Sequence, residues 1–272
     1  MARRAPFRVL RRSLGLKRFQ RPREGSAPAI ANAVRRSRAR SWDSEEAVWI
    51  SRIENRRRAL DESTDSIPCD DGQFEVLGEV SRLSSVSPHR AAVLFAVMRE
   101  TRARSALELG TCVGVSAAYE AAALRLNEGE PLVTIEASAG RMEVARETFA
   151  GLGLVEVDAR LGDFQQVLQA LAAKRRKFDY AFIDGNHREG ATVEYHRFFV
   201  ERLAAPGAIV VFDDIRWSEG MHRAWTTVLR HPKVELAVDL GSMGLVVHGS
   251  GDTRQVTVPP ERVTAHIVGW SP

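Results

Sequence analysis

From residue 105 onward, short apolar runs alternate with longer segments of helical periodicity, and this alternation limits the fold more than any other feature. The apolar runs are 106–109, 132–135, 155–159, 180–183 and 208–212. The helical segments between them are 115–126, 139–152, 164–173 and 191–203. Strands separated by a helix cannot pair as tight hairpins, so these are βαβ units of a parallel sheet. A further helical segment, 220–229, leads to two more apolar runs, 234–240 and 244–248. Only Gly241, Ser242 and Met243 separate this last pair, which must therefore run antiparallel. The expected fold is a doubly wound, mostly parallel α/β sheet with one reversed strand at its end.

Two helices are expected before this region. Asp43 can cap the first, with Glu46 three residues on as a capping box requires, followed by Ala47, Ile50, Ile53 and Leu60 at helical spacing. Ser87-Pro88 marks the start of the second. Between them, 61–72 reads as a polar connector, and 41–104 as a helical cap on the sheet domain, 105–249. Residues 1–40 hold 13 Lys/Arg against one acid, Glu24. They carry +12, so the remainder carries −8 within a total of +4. That stretch reads as a basic arm without fixed structure, and its removal near residue 41 should leave the fold intact. A targeting peptide or a membrane-surface helix is the other reading. With the basic residues in the arm and an acidic body, no specific nucleic-acid partner is expected. Residues 250–272, with Pro259-Pro260, show no pattern. Cys69 and Cys112 make neither a disulfide framework nor a zinc cluster, and no apolar run approaches bilayer length. A cytoplasmic chain is expected, with a homodimer left open.

Parallel sheets bind ligands beyond the carboxyl ends of their strands. The first such loop reads Glu108-Leu109-Gly110-Thr111-Cys112-Val113-Gly114-Val115-Ser116. Its glycine spacing is not the dinucleotide GxGxxG, and Glu108 would repel a pyrophosphate. S-adenosylmethionine (SAM) suits it better: Glu108 can favour the ammonium, directly or through water, and the helix-start amides the carboxylate. Thr111 and Ser116 belong to the same candidate set. Glu136, at the end of the second strand, can accept both ribose hydroxyls, and Asp163, after Gly162, an adenine amino group. Each acid alone also reads as a solvated loop residue. Three of them beside the glycine loop carry the assignment together.

This acid-x-Gly-x-x-x-Gly loop resembles the first motif of the class I SAM-dependent methyltransferases, and the resemblance covers about residues 76–249. It implies a seven-stranded sheet of order 3-2-1-4-5-7-6 with the seventh strand reversed.

The fourth strand ends Phe182-Ile183-Asp184-Gly185-Asn186-His187 and the fifth Val211-Phe212-Asp213-Asp214-Ile215-Arg216-Trp217. Three carboxylates at one sheet edge repel unless a cation sits among them, and oxygen ligands suit Mg²⁺, Mn²⁺ or Ca²⁺. Otherwise Asp213 caps a helix and Asp214 is solvated. Strand neighbours point opposite ways, so both reach one ion only if the strand ends at Phe212. These motifs resemble the metal-dependent O-methyltransferases of the catechol type and of sugar and antibiotic tailoring. The resemblance implies Asp184, Asp213 and Asp214 as metal ligands. The catechol type has Asn where Asp214 stands and a lysine base where His187 stands; the sugar-tailoring type has an Asp base where Asn186 stands. His187 is therefore the candidate base, alongside Asp184 in the catalytic pair, or else a capping or core histidine. Trp217, Met221 and Trp225 either line an acceptor pocket or pack in the core. The activity this implies is methylation of a hydroxyl on a small-molecule acceptor. A metal-independent N-methyltransferase, a nicotinamide oxidoreductase and an inactive SAM-binding protein are the alternatives.

Overall fold

The computed structural model describes residues 26–69, 72–249 and, as backbone, 256–258. The chain enters on helix α1 (Ser26–Ala39), whose Ala27, Ile30, Ala33 and Val34 are buried. Helix α2 (Ser44–Asp61) begins with the expected capping box: Asp43 accepts the Glu46 amide at 2.9 Å and Glu46 accepts the Asp43 amide at 3.1 Å. A small antiparallel ribbon follows, β1 (Ser66–Pro68) with β2 (Phe74–Val76), then α3 (Leu77–Ser84) and α4 (Pro88–Thr101). The ribbon falls partly in the stretch read as a connector, because three-residue strands are too short to show a period.

Helix α1 corrects the expected arm. Its apolar stripe packs on α4, while Arg36, on the same helix, pairs with Glu46 and Glu100. Glu46, almost fully buried, also meets Arg99 at 3.0 Å, so the residue that starts α2 pins α1 and α4 as well. The charge count alone hid this, since the two acids that pair with Arg36 lie 10 and 64 residues away. The part of the arm before residue 26 lies outside the described residues.

The alternating region then gives β3 (Ala106–Leu109), α5 (Val115–Leu126), β4 (Val133–Glu136), α6 (Ala139–Leu152), β5 (Asp158–Leu161), α7 (Phe164–Ala173), β6 (Phe178–Ile183) and α8 (Glu189–Phe198). A π-helical turn, Phe199–Leu203, leads into β7 (Ala204–Phe212), α9 (Glu219–Leu229), β8 (Val234–Asp239) and β9 (Gly244–His248). The sheet order is β5-β4-β3-β6-β7-β9-β8, the expected 3-2-1-4-5-7-6, with β9 antiparallel to both neighbours. The tail adds β10 (Val256–Val258) parallel to β8, where no element was expected. Strand β5 begins three residues later than the apolar run suggested. Its pairing with β4 fixes the register, and Val155 is left 81% exposed.

Helices α1 to α6 cover one face of the sheet and α7 to α9 the other, and strand residues alternate between the two cores. Leu107 and Leu109 face α7–α9, whereas Tyr180 and Phe182 face α4–α6. Leu109 aligns with Ile135 and Ile183, and Ile183 with Phe212, so the loops after β3, β4, β6 and β7 open at one edge.

Candidate active site

Gly110 leaves β3 at φ +108°, and a Cβ there would lie 2.2 Å from the Asp184 carbonyl oxygen. Glycine is required both for the conformation and for this approach of two backbones. Gly114, at φ +85°, caps α5 and packs against Phe149 and Ala145 of α6. The Glu136 carboxylate is fixed by three amides: Cys112 to Oε2 at 2.8 Å, and Ala137 and Ser138 to Oε1 at 3.0 Å each. Glu108 is fully buried and accepts from the Thr134 hydroxyl, while its Oε1 has no partner among the described residues. Burial, with the Glu136 charge adding to it, raises its carboxyl to about 7, against hydrogen bonds from Ser116 and Thr134.

A cavity of about 590 Å³ opens at this edge. Gly110, Thr111, Ser116, Glu136 and Asp163 line one side, and Asp184, Asn186, His187, Asp213 and Asp214 the other. Residues 83–86 and Arg90 close it from the helical cap. Glu108, Gly114 and Gly162 are not on its wall. Glu108 lies buried beneath it, bonded to Thr134. Asp163 also caps α7, accepting the Gln166 amide at 3.1 Å.

Strand β7 ends at Phe212, and Asp214 takes the left-handed conformation, φ +52°. The two aspartates consequently share Arg90, and only Asp214 also faces His187. Asp213 is buried, and its Oδ1 lies 2.6 Å from Arg90 Nη1. Asp214 Oδ1 meets the same nitrogen at 3.1 Å, while its Oδ2 is 3.9 Å from His187 Nδ1. Asp184 Oδ1 is 3.9 Å from His187 Nε2. Burial first, then the Asp213 and Asp214 charges, hold the Asp184 carboxyl well above the usual range, with Arg90 opposing. Burial likewise raises Asp213 against the attraction of Arg90, whose own guanidinium is made harder to deprotonate by the two aspartates.

The groups that converge are Asp184, His187 and Asp214, whose ligand atoms all lie within 4.8 Å of one another. This differs from the expected set in one member: Asp213 is turned to Arg90 and His187 stands in its place. Two carboxylates and one imidazole fit a divalent transition ion such as Mn²⁺, whereas Mg²⁺ favours an all-oxygen set. His187 caps no helix, since Arg188 holds that position in α8, and it lines the cavity 35% exposed. Of the three residues read as pocket or core, Trp217 is 73% exposed at the cavity rim, 6.5 Å from the His187 ring. Met221 and Trp225 are core, Trp225 stacking near Phe212 over the bare face of Gly244. Sequence reasoning missed Tyr195, which accepts from Asn186 at 3.1 Å and meets Phe164 edge to face. It also missed Arg90. The available signal there was a cation in the first turn of a helix, where the dipole disfavours it.

A family model described as a methyltransferase domain matches residues 107–215. A catechol O-methyltransferase of Niastella koreensis is 32% identical over 133 residues, which are 48% of this chain and 58% of that protein. The chain thus spans little more than half the length of the curated relatives it matches. Among solved structures, an O-methyltransferase from Bacillus cereus in complex with SAH aligns with a TM-score of 0.56 at 22% identity, covering 82% of this chain and 99% of that one. The O-methyltransferase from Streptomyces achromogenes involved in tomaymycin synthesis, in complex with SAM, aligns at 0.55 and 22%, covering 77% and 92%. No helix among the described residues is long and apolar enough to cross a membrane. Residues 107–215 thus match a methyltransferase domain, and the strand order of the sheet is the one found in solved O-methyltransferase structures.

Proposed function

We propose that this chain transfers a methyl group from SAM to a hydroxyl of a small acceptor. One observation carries the reading. A single cavity has the glycine loop and Glu136 on one wall and His187, between two carboxylates, on the other. The Glu136 carboxylate retains acceptor capacity for a ribose after its three amide bonds, and the amides at the start of α5 favour a carboxylate. Asp163 offers an acceptor to an adenine amino group. When bound, SAM supplies an already activated methyl group, so these residues have chiefly to position it. On the opposite wall His187 takes the proton from the acceptor hydroxyl, and Asp184 and Asp214 stabilise the imidazolium that results. Trp217 and Tyr195 give the acceptor an aromatic wall. Were a divalent cation held by Asp184, His187 and Asp214, it would supply a Lewis acid that lowers the hydroxyl pKa, and the coordinated His187 ring would orient the ion instead of taking the proton.

The test is calorimetry with SAH and transfer of labelled methyl from SAM to catechol as the probe acceptor. Glu136→Ala should weaken SAH binding by about 1.5–3 kcal/mol, the scale of hydrogen bonds to a charged group. His187→Ala should lower transfer about 100-fold while leaving SAH affinity unchanged. Chelation with EDTA should lower transfer and spare SAH binding. A chain that binds no SAH would overturn the reading, and full transfer in excess EDTA would remove the cation from it.

A further inference from the structure

We infer that Arg90 is a built-in cation of the carboxylate cluster, which takes Asp213 out of the ligand set and leaves Asp184, His187 and Asp214 as the face a divalent ion meets. The inference rests on the site as read above but not on turnover.

Local structure gives no reason for an arginine here. Arg90 is the third residue of α4, where Ser87 caps its amide at 3.4 Å. The positive end of the helix dipole disfavours a cation in that turn. The side chain instead crosses from the helical cap to the end of β7, and Nη1 bridges Asp213 at 2.6 Å and Asp214 at 3.1 Å. Asp213 is only 3% exposed, and a carboxylate that deeply buried needs a compensating charge. With Arg90 present, the cluster of Asp184, Asp213 and Asp214 keeps two net negative charges, which one divalent ion neutralises. Without it the cluster carries three, and Asp213 is free to turn inward. The same guanidinium nitrogen holds the left-handed Asp214, whose second oxygen faces His187. Arg90 thus acts through other residues, as a positioning group that ties the cap to the floor of the site.

Mn²⁺ is the probe, titrated into the full chain and followed by electron paramagnetic resonance. Loss of a cation this close to the ion should make Arg90→Met bind Mn²⁺ about tenfold more tightly than the parent chain. Asp213→Asn removes a charge that lies beside that of Arg90, so alone it should weaken Mn²⁺ binding by about tenfold without abolishing it, and in the Arg90→Met background it should cancel the gain. Calorimetry with SAH establishes that each variant is folded. Should Arg90→Met not fold, Arg90→Lys carries the test: it keeps the charge and must leave Mn²⁺ affinity near that of the parent. The inference fails if Arg90→Met binds Mn²⁺ no more tightly than the parent, if Asp213→Asn alone abolishes binding, or if Arg90→Lys gains as Arg90→Met should. None of these readouts needs methyl transfer, so absence of transfer in every chain would count against the proposed reaction and leave this inference standing.

Discussion

Gly110 shows at residue scale how the cofactor loop and the acidic cluster depend on each other. Its missing side chain lets the end of β3 touch the Asp184 carbonyl, and its φ of +108° is one that other residues resist. Gly110→Ala should therefore cost more than about 2 kcal/mol of stability, read as a lower melting temperature, and should weaken SAH binding as well. A variant with parent-like melting and SAH affinity would show that the contact is dispensable. The turn at Gly110 and the places of Glu136 at a strand end and Asp163 at a helix start were legible in the sequence because each signal is local. Arg90 and Tyr195 were not, because their meaning lies in what stands opposite. Arg90 meets its aspartates 123 and 124 residues away in the chain.

Helix α1 is where element-scale reading failed, and the failure is instructive. Charge density across 1–40 outweighed a stripe of four apolar residues, yet in the structure Ile30 is 1% exposed against the neighbouring helices. Ile30→Ala should cost about 3 kcal/mol, and a chain beginning at residue 41 should melt well below the full chain. Equal melting curves for the full and shortened chains would show that α1 contributes nothing. The α/β alternation, by contrast, was readable almost element by element, since β3, α5, α6, α7 and β9 occupy the expected residues. Strand β5 moved because an edge strand takes its register from its neighbour rather than from its own apolar content.

At the scale of the whole molecule, the end of the sheet remote from the cavity holds a buried histidine pair that makes stability pH-dependent. His248 Nδ1 faces the Ala208 carbonyl at 3.3 Å and so carries the proton, which leaves its Nε2 to accept from His196 at 2.9 Å. Burial, chiefly, lowers both rings, His248 from 6.5 to about 4. A base whose pKa is lower folded than unfolded contributes its full stability above about 6.5 and loses it as pH falls toward 4. His248→Gln should remove the share of that dependence that belongs to His248, leaving that of His196. The stability gap between the parent and the variant should shrink by about 2 kcal/mol between pH 7.5 and pH 5. A gap that stays constant in denaturant titrations at the two pH values would show that His248 is not the group responsible. The sequence by itself determined the fold class, the strand order's reversed end and the glycine turn after β3, because hydrophobic period, turn residues and cap residues act over a few neighbours. Only the tertiary structure decided that α1 docks, that Asp213 faces Arg90 and that His187 joins Asp184 and Asp214, because burial and charge compensation depend on groups brought together from distant parts of the chain.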